Sequence, residues 1–175
     1  LSLTQLEWSP DDKYLAFSAN DRVYLLEIET GLIKPVFQGA AITAGVTWSN
    51  DGAYLYFSAK LDGDWQVWHI DRNGQKLTRI TQFGGISARA SKHGNEIYYA
   101  KYGKKGLWRR SLNQGGLPVG QESLLISDFD HYAYISWQVF EQGIYYLTRS
   151  HSGQKIVYFS FENERSSTVL SGKQI

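Results

Sequence analysis

Trp8-Ser9-Pro10-Asp11-Asp12 and Trp48-Ser49-Asn50-Asp51-Gly52 are one phrase written twice. It returns as Ser91-Lys92-His93-Gly94 and, in degenerate form, between Trp137 and Gly143. Each copy leads into an aromatic-rich stretch: Tyr14 to Ser18, Tyr54 to Ser58, Ile97 to Ala100 and Ile144 to Leu147. Trp8 and Trp48 are 40 residues apart and Ser49 and Ser91 are 42 apart, while the last interval is longer. Self-similarity at such a period is the mark of stacked structural repeats.

Each repeat reads as four strands. One ends at the Trp, the second resembles Tyr14 to Ser18, the third Val23 to Ile28 and the fourth Ile33 to Phe37. The fourth strand recurs as Leu77 to Thr81, Ser123 to Ile126 and Thr168 to Leu170. The second and third strands are almost continuously apolar, as in Val23-Tyr24-Leu25-Leu26 and Ile156-Val157-Tyr158-Phe159. A strand with that pattern is covered on both faces. A two-layer sandwich leaves one face wet, whereas a blade stacked between two neighbouring blades does not, so the expected fold is an all-β propeller of four-stranded antiparallel blades. Blades are expected at residues 3–38, 43–82, 86–126 and 132–170, within a single domain spanning 1–175. Trp8, Trp48 and Trp137 are expected to pack between blades, as large aromatics do. Asp11 and Asp51 are expected to form side-chain turns, and Gly52, Gly94 and Gly143 to supply positive φ in the reversals.

Composition narrows the function. The 18 basic and 17 acidic residues leave a formal charge of +1, which generates no field to attract nucleic acid or an anionic membrane. The absence of cysteine removes disulfides, thiol chemistry and Cys-ligated zinc. No run of apolar residues is long enough to span a bilayer, and Leu1 is neither Met nor preceded by a leader, so the sequence reads as a piece of a longer protein. The four histidines lack the close pairing used by metal sites, and no phosphate loop, nucleophile elbow or Cys nucleophile is present. The expectation is therefore no metal, no cofactor and no catalysis.

In a propeller, the hairpins between second and third strands share a face with the loops entering the innermost strands, and ligands dock there. On this chain that face carries Arg22, Trp65, Phe83, Asp128, Asp130, His131 and Tyr132. The segment Asp128-Phe129-Asp130-His131-Tyr132, placed just before an innermost strand from Tyr132 to Trp137, mixes carboxylates, an imidazole and aromatics, as polar-ligand sites do. Asp62-Gly63-Asp64 offers too few oxygens for calcium and reads as a hairpin tip. The basic stretch Lys101 to Arg110 reads as a solvated edge, because strand alternation sends Arg109 and Arg110 to opposite faces.

The phrase Trp-Ser-Pro-Asp-Gly, followed by a strand such as Tyr14-Leu15-Ala16-Phe17-Ser18, resembles the TolB-like, WD-type propeller repeat. The first copy departs from it at Asp12 and the second at Asn50; the third has Ala90 in place of the Trp. The resemblance implies a six- or seven-bladed ring, of which about four blades are present, leaving open terminal blades that favour self-association. The last repeat resembles the propeller of membrane-anchored, CadC/ToxR-type winged-helix transcriptional regulators. That implies a non-catalytic sensor or protein-interaction domain, periplasmic within an inner-membrane-anchored protein or otherwise cytoplasmic, with any DNA contact made by an upstream domain. Its partner at the channel mouth would be a protein or small molecule. The alternatives are a TolB-type periplasmic scaffold and the propeller domain of a peptidase or polysaccharide lyase.

Overall fold

The structure is a computed structural model that describes residues 3–39, 42–130, 136–150 and 153–172. The described residues form sixteen strands in four antiparallel sheets of four, each running in chain order from inside to outside. The first blade holds β1 (Leu3–Trp8), β2 (Tyr14–Ala19), β3 (Arg22–Glu27) and β4 (Ile33–Gln38). The second holds β5 (Thr43–Trp48), β6 (Tyr54–Ala59), β7 (Gln66–Asp71) and β8 (Thr78–Arg79). The third holds β9 (Ile86–Ala90), β10 (Glu96–Lys101), β11 (Lys104–Leu112) and β12 (Pro118–Ile126). The fourth holds β13 (Trp137–Val139), β14 (Gly143–Ser150), β15 (Gly153–Ser160) and β16 (Arg165–Ser171). Pro35 and Pro118 both fall on outermost strands, where the missing N–H costs least.

Three apolar clusters hold the array together, and each lies between two blades. Val23, Leu25 and Phe37 of the first blade meet Val46, Trp48, Leu55, Phe57 and Trp68 of the second. Tyr56, Val67 and Ile80 meet Ile97, Tyr99 and Leu112 between the second and third. Tyr98, Leu107 and Ile126 meet Trp137, Ile144, Tyr146 and Phe159 between the third and fourth. This is why β6, β7 and β10 are buried on both faces. In the first blade β2 and β3 instead alternate, because one face has no neighbouring sheet among the described residues. Among the described residues the innermost strands pack in the sequence β1, β5, β9, β13.

The repeated phrase is turn chemistry. Ser9 Oγ donates to Asp11 Oδ1 at 2.6 Å and accepts from the Tyr14 amide at 2.9 Å, while Asp11 accepts from the Lys13 amide. Ser49, Asp51, Ala53 and Tyr54 repeat the arrangement, again with 2.6 and 2.9 Å bonds. In the third blade Asn95 takes the place of the Asp. The position three after each Ser adopts positive φ: 58° at Asp12, 67° at Gly52 and 72° at Gly94. Gly143 does not share this role. It opens β14, and an added Cβ would lie 2.1 Å from the Phe159 carbonyl oxygen, so it serves close strand approach instead of a reversal.

The pairing register corrects the alignment of the fourth repeat. Trp8 faces Leu15 and Trp48 faces Leu55, and in the fourth blade the matching pair is Val139 and Ile144. Trp137 stands two residues earlier, level with Leu6 and Val46. The fourth reversal is shorter, closing on a Phe140 amide to Gly143 carbonyl bond around Glu141 and Gln142, which accounts for the degenerate phrase. Within the described residues the innermost fourth strand therefore begins at Trp137, where the sequence suggested it would end. A second correction concerns Trp8. Trp48 and Trp137 are buried, but Trp8 is 56% exposed, since the blade that would cover it is not among the four.

Candidate binding face and axial channel

The hairpins β2–β3, β6–β7 and β10–β11 lie at the same end of the array as the loops entering β5 and β9. At that end a cleft of about 390 Å³ opens between the second and third blades. The β6–β7 hairpin supplies Lys60, Asp64 and Trp65, the β8–β9 loop supplies Gln82 and Phe83, and the β10–β11 hairpin supplies Tyr102 and Lys104. Phe83 and Tyr102 are about two-thirds exposed, so two aromatic rings stand at the cleft with little protein over them. Lys60 Nζ lies 5.6 Å from the centre of the Trp65 ring. Beneath them Gln66 is buried and accepts from Thr81 Oγ1 at 2.6 Å, fixing the wall of the cleft.

Lys101 forms the floor, and its environment corrects the expectation of a solvated edge. It is buried, paired with Glu122 Oε1 at 2.5 Å, and sits 4.7 Å from the Trp108 ring and 6.0 Å from the Phe83 ring. Tyr99 OH donates to the other Glu122 oxygen. Burial together with that carboxylate pushes the Tyr99 hydroxyl far above its ordinary pKa. β11 is an inner strand flanked by β10 and β12, and its two arginines have partners while Lys104 and Lys105 at its start are exposed. Arg109 and Arg110 do face opposite ways: Arg109 pairs with Glu164 of the fourth blade at 3.3 Å, and Arg110 Nη1 donates to the Ile80 carbonyl of the second at 2.6 Å.

The sequence-derived site residues therefore separate. Trp65 and Phe83 come together in the cleft. Arg22 lies at the β2–β3 hairpin, 3.8 Å from Asp21 and 3.4 Å from Tyr24 OH. Asp128 accepts from Tyr146 OH at 3.2 Å, and Phe129 is fully buried against Trp137 and Tyr146, so this part of the proposed loop anchors the fourth blade. Burial drives the Tyr146 hydroxyl up to about 12, with Asp128 adding to the shift against the opposing Ser166 bond. Asp130 is partly buried in the same loop. His131 and Tyr132 lie outside the described residues. Asp62 is taken up by Arg79 at 3.6 Å.

At the axis lies an arrangement that reading the sequence did not single out. Glu7, Thr47, Arg89 and Gln138 precede the register-matched residues Trp8, Trp48, Ala90 and Val139, and all four line a cavity of about 270 Å³ at the other mouth of the array. Glu7 accepts from Arg89 Nη1 at 3.2 Å and from Thr47 Oγ1 at 3.4 Å. Gln5, with its amide oxygen turned to the guanidinium, accepts from Arg89 Nη2 at 2.6 Å. Gln5, Gly45 and Ser87 occupy the bulge of β1, β5 and β9 and all have positive φ, so the bulge recurs in three blades. The chain signal for this ring was the residue before the Trp in the first two repeats only, since Ala90 and Val139 stand at the matching positions of the third and fourth. The four side chains are chemically unlike one another, which hid it.

The other perturbed groups belong to turns and cores. Burial lowers the pKa of His69, against the pull of Asp71, where its ring lies 4.5 Å from that of Tyr54. Burial raises Asp51, but bonds from Ser49 and the Ala53 amide outweigh it, and Asp11 is lowered chiefly by Ser9.

Comparison with known proteins agrees with this geometry. TolB from Acinetobacter baumannii superposes with a TM-score of 0.76 at 19% identity, covering 97% of this chain and 44% of TolB. The fold is a TolB-like β-propeller array. A calcium-binding protein, regucalcin, from Agrobacterium tumefaciens superposes at 0.69 with 14% identity over 93% of this chain and 58% of that one. A puromycin-hydrolyzing peptidase of Mycobacterium tuberculosis does so at 0.72 with 13% identity over 97% and 29%. An uncharacterized protein of Agrobacterium fabrum is 28% identical over 101 residues, 54% of this chain and 34% of its own length. The chain thus spans about a third of that relative and under half of TolB. No family model matches the chain.

Proposed function

We propose that this chain is a non-catalytic binding propeller that holds a protein or a small polar ligand in the cleft between its second and third blades. The observation that carries the reading is the pair of exposed rings, Phe83 and Tyr102, set beside Trp65 and the ammonium groups of Lys60 and Lys104 in one cleft. Exposed aromatics cost solubility, and a few polar groups converging beside them are what a recognition site requires. The groups with shifted pKa values named above serve turns and inter-blade cores, and structural packing accounts for each of them.

The setting proposed for this module is the extracytoplasmic sensor of a CadC/ToxR-type regulator, which rests on the resemblance of the last repeat, Trp137 to Leu170, to the propellers of such proteins. A winged helix and a membrane-spanning segment encoded in the same polypeptide would support that setting. An export signal without them would favour a periplasmic scaffold, and a fused hydrolase domain would overturn the non-catalytic reading.

The site itself is tested by ligand-observed NMR with a fragment library, run on the wild-type chain and on a Trp65→Ala, Phe83→Ala, Tyr102→Ala variant. Hits lost in the folded variant support the cleft. Hits that bind both proteins equally place recognition elsewhere.

A further inference from the structure

Three aromatic rings meet in the cleft between the second and third blades, and their faces are not equally available. Lys60 holds its ammonium 5.6 Å from the centre of the Trp65 ring. Lys101, on the floor, holds its own 6.0 Å from the centre of the Phe83 ring. A cation over a ring is attracted by the electron density of that face, and its charge draws density away from the other. Lys101 is buried while Phe83 is 63% exposed, so the face turned away from the ammonium is the one a ligand meets.

This arrangement is the reverse of an aromatic cage for a cation. A cage leaves its ring faces free for the positive charge of the ligand. Here the chain's own lysines already hold two of the three rings. Charge points the same way. Among the described residues lining the cleft, Lys101 is paired with Glu122, which leaves the exposed Lys60 and Lys104 set against Asp64 alone. Asp62, in the same hairpin as Asp64, is taken up by Arg79 at 3.6 Å.

We infer that the cleft takes a small organic carboxylate with a flat aromatic body, its ring laid against Phe83 and Tyr102 and its carboxylate received by Lys60 and Lys104. The inference rests on the cleft being the binding site, as proposed above. A volume of about 390 Å³ lies within the range of small-molecule sites. Lysine acts on a carboxylate as a flexible point charge, without the fixed fork of arginine, so the site selects for charge and flatness more than for one exact shape.

The test uses three probes that share a phenyl ring and differ in charge: phenylacetate, 2-phenylethanol and phenethylammonium. Titrated into the wild-type chain and followed by ligand-observed NMR at low salt, phenylacetate is expected to bind with millimolar affinity. Phenethylammonium should bind about tenfold more weakly, the scale of two exposed ion pairs, with the alcohol between them. High salt should narrow the difference, because exposed charges are screened. A Lys60→Gln, Lys104→Gln variant should reduce phenylacetate to the level of the alcohol, and a Phe83→Ala, Tyr102→Ala variant should lose all three probes. All four side chains are exposed, so the fold is expected to survive both changes, which circular dichroism checks. Equal binding of the three probes, lost in the aromatic variant, would overturn the preference for an anion while leaving the cleft as the site. Tighter binding of phenethylammonium would make the cleft a cation cage and overturn the inference in the same way. Failure of phenylacetate to bind at millimolar concentration would also overturn it. Binding that both variants retain would overturn the inference and the cleft together.

Discussion

Glu7 and Arg89, 82 positions apart, meet at 3.2 Å and tie the first blade to the third across the axis. Their side chains are 28% and 10% exposed, so the pair works largely out of water. Breaking a buried pair strands the remaining charge, which costs about 3–5 kcal/mol. Arg89→Ala is therefore expected to lower the urea midpoint by the equivalent of about 3 kcal/mol, the low end because Glu7 keeps some solvent. A Glu7→Ala, Arg89→Ala cycle should return a favourable coupling of about 1–3 kcal/mol. A coupling near zero would mean that the two blades are not joined through this contact.

Trp48 and Phe83 should respond in opposite ways to truncation. Trp48 is 5% exposed between two blades, and replacing such a residue by Ala costs about 3–5 kcal/mol. Phe83 stands in the open cleft, and Phe83→Ala should stay within about 0.5 kcal/mol of wild type. Equal denaturation midpoints for the two variants would contradict both placements.

Gly143 and Gly94 separate two reasons for glycine. At Gly94 an added Cβ meets nothing within 4 Å, and Gly94→Ala bears only the positive-φ penalty, about 1 kcal/mol. At Gly143 the Cβ would collide with backbone, so Gly143→Ala should cost about 3 kcal/mol, as severe overpacking does. Thermal melts of the two variants check the order.

Acidification should weaken the fold first through His69. Its folded pKa is lowered by burial, so as pH falls below the ordinary 6.5 the unfolded chain takes up a proton that the folded chain resists. Stability therefore rises with pH through that window and is lost on the acid side. The Asp11 and Asp51 carboxyls are also lowered, and their contribution disappears only below the ordinary 3.8. The denaturation midpoint should decline below pH 6.5 in the wild type and stay flat down to about pH 5 in a His69→Gln variant, with one shared acid loss below that. An unchanged slope in the variant would remove His69 as the cause.

The fold was legible because its two strongest signals are local. Ser-x-Asp turns announce where the β1–β2 and β5–β6 hairpins reverse, and unbroken apolar strands such as Tyr54 to Ala59 state that both faces are covered. Trp137 is the exception, because the position that Trp8 and Trp48 mark in their repeats belongs to Val139 in the strand register of the fourth. Asn50 looked like decay of the repeat, yet its side-chain amide donates to the Ser91 carbonyl at 2.8 Å and locks one turn to the next. The site was only half legible. Trp65, Phe83 and Tyr102 belong to loops that a propeller reading of the sequence places at one end, but that Lys60 joins them depends on how the blades stack. The buried Lys101–Glu122 pair links strands that sequence spacing does not associate, so its lysine read as part of a solvated run.

The direct test of radial blade stacking is solvent exchange of the indole N–H groups of Trp48 and Trp137, assigned by single substitutions. These donate to the Glu7 carbonyl at 3.1 Å and to Ser87 Oγ at 3.3 Å, each on the preceding blade. The account predicts slow exchange at both, and a nuclear Overhauser contact from the Trp48 ring to the ring of Tyr14, whose centre is 6.5 Å away. Exchange at the rate of a free indole, with no contact between Trp48 and the first blade, would contradict it.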